Sequence, residues 1–239
     1  MRSIKILLPA LAIAISCMQG CSSKDFEHCD ETLVPTATAD AQVVAGGTLN
    51  LSVTGINNVH MYNWRGPDKF FSHGENAQVT NVSAVNAGRY TVEVITNDGC
   101  MYTATTDSVV ITSATPPCTL TNNFAASSNL ADISYSSVSG YASGGSYIVH
   151  ASGTGGSIEM EFAGANRPIT GIYEIQSWGG SWVQGSVRVI MWNSGWSWNT
   201  GAGKVYVNAA NGKLIVSFCN VGFSSNGYNT SINCQVTVP

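Results

Sequence analysis

Strand-length runs in which apolar and polar residues alternate one by one recur along this chain, and they leave little room for anything but β-sheet. In Ser157-Ile158-Glu159-Met160-Glu161-Phe162 the apolar residues share one face and the carboxylates the other. Val187, Val189 and Met191 alternate with Arg188, and Leu214, Val216 and Phe218 alternate with Ser217. Ile232, Cys234, Val236 and Val238 repeat the pattern at the end of the sequence. Successive Cβ atoms of a strand point to opposite faces, so a period of two builds one buried and one exposed surface. No stretch carries apolar residues at the spacing of a convincing amphipathic helix. The expected class is all-β.

Turn signals divide the runs into two groups. Thr115-Pro116-Pro117 is a stiff joint, because each proline restricts the residue before it. The expected layout is a sandwich over 33–113, a proline linker at 114–117 and a second antiparallel β-sandwich or jelly roll over 118–239, with a small barrel as the alternative. Counting Ile133–Val138, Ser146–Ala151 and Lys204–Val207, the second domain has about eight strands.

In the first domain, Gly46-Gly47-Thr48 turns into Leu49-Asn50-Leu51-Ser52-Val53, and Val59 to Trp64 ends in the turn Arg65-Gly66-Pro67-Asp68. Asn86 to Val94 reads as the next long strand, and Asn97-Asp98-Gly99 returns the chain through Cys100 to Ile111. These residues resemble an immunoglobulin-like domain. Trp64 stands where that fold buries a tryptophan, and Asn86-Ala87-Gly88-Arg89-Tyr90 matches its tyrosine corner. Where antibody domains have an inter-sheet disulfide, this chain has Leu51 or Val53 facing Val92, which implies aliphatic packing instead. Trp64 to Pro67, Ala87 to Val92 and Gly99-Cys100 are similar to the Ig-like and PKD-like modules of bacterial surface adhesins, which often act as spacers. From about residue 150 onward, Gly171-Ile172-Tyr173, Val205-Tyr206-Val207 and Ser217 to Val221 resemble uncharacterised β domains of bacterial surface lipoproteins.

Arg2 and Lys5 precede an apolar run from Ile6 to Ile15, too short for the roughly 20 apolar residues that span a bilayer. Met18-Gln19-Gly20-Cys21-Ser22-Ser23-Lys24-Asp25 then resembles a lipoprotein cleavage site, with Met and Gln in place of the usual Leu and small residue. The resemblance implies a signal peptide over 1–20, lipidation of Cys21 and an acidic tether over 21–32. Ala14-Ile15-Ser16-Cys17 is a second candidate, and an ordinary signal peptide a third reading. Several acyl chains hold far more firmly than one. The implied partner is a membrane and the implied location the outer membrane, surface-exposed; the Ser-Ser-Lys-Asp-Phe-Glu stretch resembles a surface-export tag. Asp107-Ser108-Val109 resembles an O-glycosylation acceptor, or is an ordinary strand end.

Charged residues make up only 10% of the chain. Residues 21–117 hold ten acids against four bases, and 118–239 hold four of each. Neither half offers the basic stripe that phosphate neutralisation requires, which excludes DNA and RNA. With Cys21 lipidated, Cys29, Cys100, Cys118, Cys219 and Cys234 remain as disulfide candidates. Cys29 with Cys100 is the favoured bridge, while Cys219 can pair with Cys118 or Cys234. No Cys-x-x-Cys pair exists and the histidines at 28, 60, 73 and 150 are scattered, so neither metal nor cofactor is expected.

Glu159, Glu161 and Glu174 raise a glycoside-hydrolase alternative, since Glu159 and Glu161 would lie roughly 6.5–7 Å apart on one strand face. Outward carboxylates are also the default for an antiparallel strand. No nucleophile elbow with a following helix is present, and His150 is the second domain's sole histidine, so the expectation is a protein without enzymatic activity.

Aromatic residues carry the strongest signal. Trp178, Trp182, Trp192, Trp196 and Trp198 place five of the six tryptophans within 21 residues, in Gly-, Ser- and Asn-rich surroundings that read as loops. Either the two loops fold over one another and bury the rings as a small core, or the rings stand exposed to contact a ligand such as a glycan. Trp178, Trp182, Trp196 and Trp198 are the candidate contact residues, with Trp192 on the outer face or under a loop. The expected role is binding or adhesion at a cell surface. The rival is a structural component of the envelope whose second domain adds edge strands to another protein.

Overall fold

The computed structural model describes residues 29–180 and 182–239. Cys17, Cys21, the signal segment and the tether as far as residue 28 lie outside the described residues. Apart from one 3-10 turn at Ala84–Asn86, every element among the described residues is a strand.

The first half contains β1 (Thr36–Ala39), β2 (Gln42–Val44), β3 (Thr48–Thr54), β4 (Val59–Arg65), β5 (Phe71–His73), β6 (Asn76–Thr80), β7 (Thr91–Thr96), β8 (Met101–Thr105) and β9 (Val110–Thr112). They form sheets ordered β1-β3-β6 and β5-β4-β7-β8, with β2 and β9 paired in parallel. Alternation in β3 and β7 sends Leu49, Leu51, Val53, Val92 and Val94 into a core closed around Trp64. The Trp64 indole is fully buried and donates to the Gly74 carbonyl at 3.0 Å.

Asn86 to Val94 is not one strand. Asn86 ends the 3-10 turn, Gly88 takes a left-handed φ of +133°, and β7 begins only at Thr91. The Tyr90 hydroxyl donates to the Asn86 carbonyl at 2.8 Å, so the segment bends back upon itself as a tyrosine corner. A hydrogen bond over four residues holds the chain away from extended geometry, and alternation cannot reveal that.

Cys29 is bonded to Cys100, and the Tyr102 hydroxyl donates to the Asp30 carbonyl at 3.2 Å. Residues 29–32 therefore lie against β8. At the other end of this sandwich, Ala84 N–H donates to the Thr170 carbonyl at 3.0 Å. Gly46 packs so closely on Ile172 that a Cβ would meet its Cδ1 at 2.6 Å. Residues 113–116 lie beside Tyr206, Asn208 and Ile215, so the proline segment runs along the second half.

The second half contains β10 (Phe124–Ser127), β11 (Ile133–Ser143), β12 (Ser146–Thr154), β13 (Gly156–Ala163), β14 (Gly171–Ile175), β15 (Ser186–Asn193), β16 (Trp196–Asn199), β17 (Lys204–Ala210), β18 (Lys213–Ser225) and β19 (Tyr228–Val238). Sequence periodicity overlooked β10 and β16. Pairing runs β13-β12-β11-β10-β19-β18-β17-β14-β15 and returns to β13, so the two layers are joined at both edges. All these pairs are antiparallel except β14 with β15. Met160, Phe162, Val189, Met191, Val216, Phe218 and Val236 are among the fully buried inward side chains.

Cys118 is bonded to Cys219, and Cys234 is a buried free thiol. Register decides between the two partners that spacing left open. Cys234 stands opposite Phe218 and points into the core, whereas Cys219 lies in the irregularity between Phe218 and Val221. Cysteines on opposite faces of a strand pair cannot be bridged without moving backbone. Burial pushes the Cys234 thiol up to about 12. The buried Tyr135 hydroxyl beside it is raised by the same desolvation.

Candidate aromatic binding face

β15 organises the tryptophans. Its outward side chains are Arg188, Ile190 and Trp192, facing Glu161, Glu159 and Ser157 on β13. Next to it, β16 sets Ser197 across from Trp192 and Asn199 across from Ile190. Directly opposed residues of an antiparallel pair share a face, so Trp192 stands between two serine hydroxyls. It keeps 37% of its surface exposed.

The segment expected to be a loop around Trp196 and Trp198 is instead strand β16, and the two rings, two residues apart, leave it on the same face yet end in different surroundings. Trp198 lies opposite Met191 on the inward face and is 6% exposed. It belongs to the core, which corrects its reading as a ligand contact. Its Nε1–H is enclosed without an acceptor. Trp196, at the strand's open end, is 46% exposed and stands edge-on to Tyr228 with centroids 6.4 Å apart.

β16 and β18 are paired only at Asn199 and Ser224. Beyond that pair they diverge toward the Asn226-Gly227 turn, whose φ values of +46° and +85° suit a tight hairpin. The divergence opens a groove of about 470 Å³ lined by Trp196, Ser197, Asn199, Ser224, Ser225 and Asn226, together with Gly195 and Gly227. No ionisable side chain lines it. Apart from the Trp196 indole N–H, every polar side-chain group there is a hydroxyl or a carboxamide, each able to donate and accept. Trp192 is on the outer face, one of its two expected places, whereas Tyr228 and these polar residues were not named as contacts from sequence. The available signal was Asn-Gly between two alternating runs, which marks a hairpin and therefore an end of the sheet.

Trp178 and Trp182 form a separate patch at the other end of β15, and both stay exposed, at 43% and 38%. The two tryptophan segments thus do not fold over one another. Instead Arg188 reaches under the loop, with its guanidinium carbon 3.9 Å from the Trp182 centroid and 5.6 Å from that of Trp178. It also donates to the Gly180 carbonyl. A guanidinium stacked on indoles is held by the negative ring faces.

The three carboxylates do not converge. Glu159 and Glu161 occupy the flat outer face of β13, with His150 and Ile148 as neighbours on β12. Glu174 lies on β14, paired to Lys204 at 3.7 Å, and lines a cleft against the first sandwich with Asp68 and Ser83. Among the described residues no group of three or more His, Cys, Asp or Glu could hold a metal ion. No described helix is long and apolar enough to cross a membrane.

No family model matches the chain, and no curated protein matches it. Among solved structures, the Ig1 domain of mouse SynCAM 2 is 22% identical, covering 34% of this chain and 98% of its own, at a TM-score of 0.24. Murine CEACAM1b is 11% identical, covering 86% of this chain and 98% of its own, at a TM-score of 0.29. Likeness at these scores carries no argument about this protein.

Proposed function

We propose that this chain is a surface-attached binding protein whose C-terminal sandwich recognises an uncharged glycan in the groove beside β16. One observation carries the reading. Trp196 keeps 46% of its surface exposed at a groove whose other polar side chains are all hydroxyls and carboxamides. Leaving ~90 Å² of indole in water forgoes on the order of 2 kcal/mol. A pyranose offers both matching halves: an apolar C–H face for the ring and hydroxyls for Ser197, Asn199, Ser224 and Asn226. Formally charged ligands find no counter-ion in the groove.

The attachment rests on the sequence before residue 29: the apolar export run and the lipobox-like Gly20-Cys21, which would fix the protein to an outer membrane by acyl chains. Two disulfides fit an oxidising compartment. The Ig-like sandwich then serves as a spacer between anchor and groove. Strand addition to an envelope partner has less support, because the ring of β10 to β19 closes on itself and leaves as free edge chiefly the short stretch of β16 beside the groove.

The test is a neutral-glycan array probed with the whole chain, beside Trp196→Ala and Asn199→Ala. Binding that drops at least tenfold in both variants supports the reading. An empty array, with an envelope protein co-purifying instead, overturns it. Radiolabelled palmitate incorporated by wild type and lost in Cys21→Ala tests the anchor independently.

A further inference from the structure

The groove adjoins a longer surface through Ser197 and Asn199, which line it and stand across from Trp192 and Ile190 on the outer face of β15. Along the outer face of β15, Trp192 and Arg188 are four residues apart, roughly 14 Å at a strand's rise. Beyond Arg188 stand Trp178 and Trp182. Ile190 fills the floor between them, and Glu159 and Glu161 run alongside on β13. The strip thus has aromatic rings at both ends, and that length exceeds any single sugar ring.

Two details suit it to a ligand along its length. Arg188 stands directly across from Glu161, the arrangement from which an ion pair is expected. Among the described residues no such pair forms, and the guanidinium is taken by the two indoles and the Gly180 carbonyl. Glu159 and Glu161 are likewise without an ion-pair partner among the described residues, so both carboxylates can accept hydrogen bonds from hydroxyls. Arg188, for its part, fixes two rings that glycines at 179 and 180 would otherwise leave loosely held. It acts as a positioning residue, and a platform ordered in advance lowers the entropic cost of binding.

We infer that the ligand is a linear, uncharged oligosaccharide laid along β15, with one end in the Trp196 groove and the other on a second subsite formed by Trp178 and Trp182. This rests on the glycan reading above and extends it to chain length. Linking two weak subsites through one ligand raises affinity when its length matches the span.

Calorimetric titration of the whole chain with β-1,4-glucose, α-1,4-glucose and β-1,4-N-acetylglucosamine oligomers of one, two, four and six units tests it. In a series that binds, affinity is expected to rise at least tenfold between two and six units. Trp178→Ala/Trp182→Ala should abolish the rise. Arg188→Ala, which keeps both rings but frees their loop, should reduce the rise. Affinity independent of length, or a rise that survives the double variant, overturns the second subsite while leaving the groove intact. Binding by no series, together with an empty array, removes groove and subsite alike.

Discussion

Replacing Gly66 with alanine tests whether the turn after Trp64 exists to seat the tyrosine corner. An alanine Cβ at this position would lie 2.2 Å from Cδ1 of Tyr90 and 2.4 Å from its Cε1. Ordinary carbon contacts begin near 3.5 Å, so the ring must withdraw by at least about 1.3 Å. Tyr90 has no free space, being fully buried with its edge against Phe70 at 5.4 Å and its hydroxyl on Asn86 at 2.8 Å. Overpacking costs about 1–3 kcal/mol, losing the hydrogen bond about 1, and disturbing the aromatic pair about 0.5–1.5. The expected loss for Gly66→Ala is therefore about 3 kcal/mol. Urea denaturation of the whole chain, followed by near-ultraviolet circular dichroism, measures it against wild type. Repeating the substitution in a Tyr90→Leu background should shrink the cost to below about 1 kcal/mol, because the opposing ring is gone. A Gly66→Ala loss under 0.5 kcal/mol, or an unchanged cost in the Tyr90→Leu background, would refute the packing argument.

The two disulfides close loops of 71 and 101 residues. Chain entropy then sets upper stabilisations of about 4.4 and 4.7 kcal/mol, so paired Cys118→Ser/Cys219→Ser should lower the urea midpoint more than any surface substitution. Trp198→Ala should cost about 3–5 kcal/mol and Trp196→Ala less than about 1, a contrast that denaturation curves can read directly; equal losses would contradict the buried and exposed assignment. Alkaline pH should weaken the second sandwich. As pH rises through 9 the unfolded chain's Cys234 loses its proton while the folded one holds it to about 12. The unfolded state then binds fewer protons and stability falls, by about 3 kcal/mol at pH 11. Cys234→Val should flatten that part of the pH profile, and an equally steep decline in the variant would show the thiol is not responsible.

Period-two alternation was enough to establish strands, their inward faces and the absence of a helical scaffold, because side-chain direction along a strand is a local property. Trp64, Gly66 and Tyr90 were readable for a similar reason: corner and turn are made by residues close in sequence. What alternation could not supply was register between distant strands. That register put Cys234 opposite Phe218 and left Cys219 to Cys118, and it turned the Trp196 segment into β16. It also gave two rings on one strand face different surroundings, Trp198 over Met191 in the core and Trp196 opposite Asn193 at the strand's end, exposed at the groove. Arg188 stacked under Trp178 and Trp182 is a contact across a loop, with no counterpart in spacing. Local patterning thus determined which side chains leave each strand together, and only the pairing of strands across the closed sheet decided which of them meet.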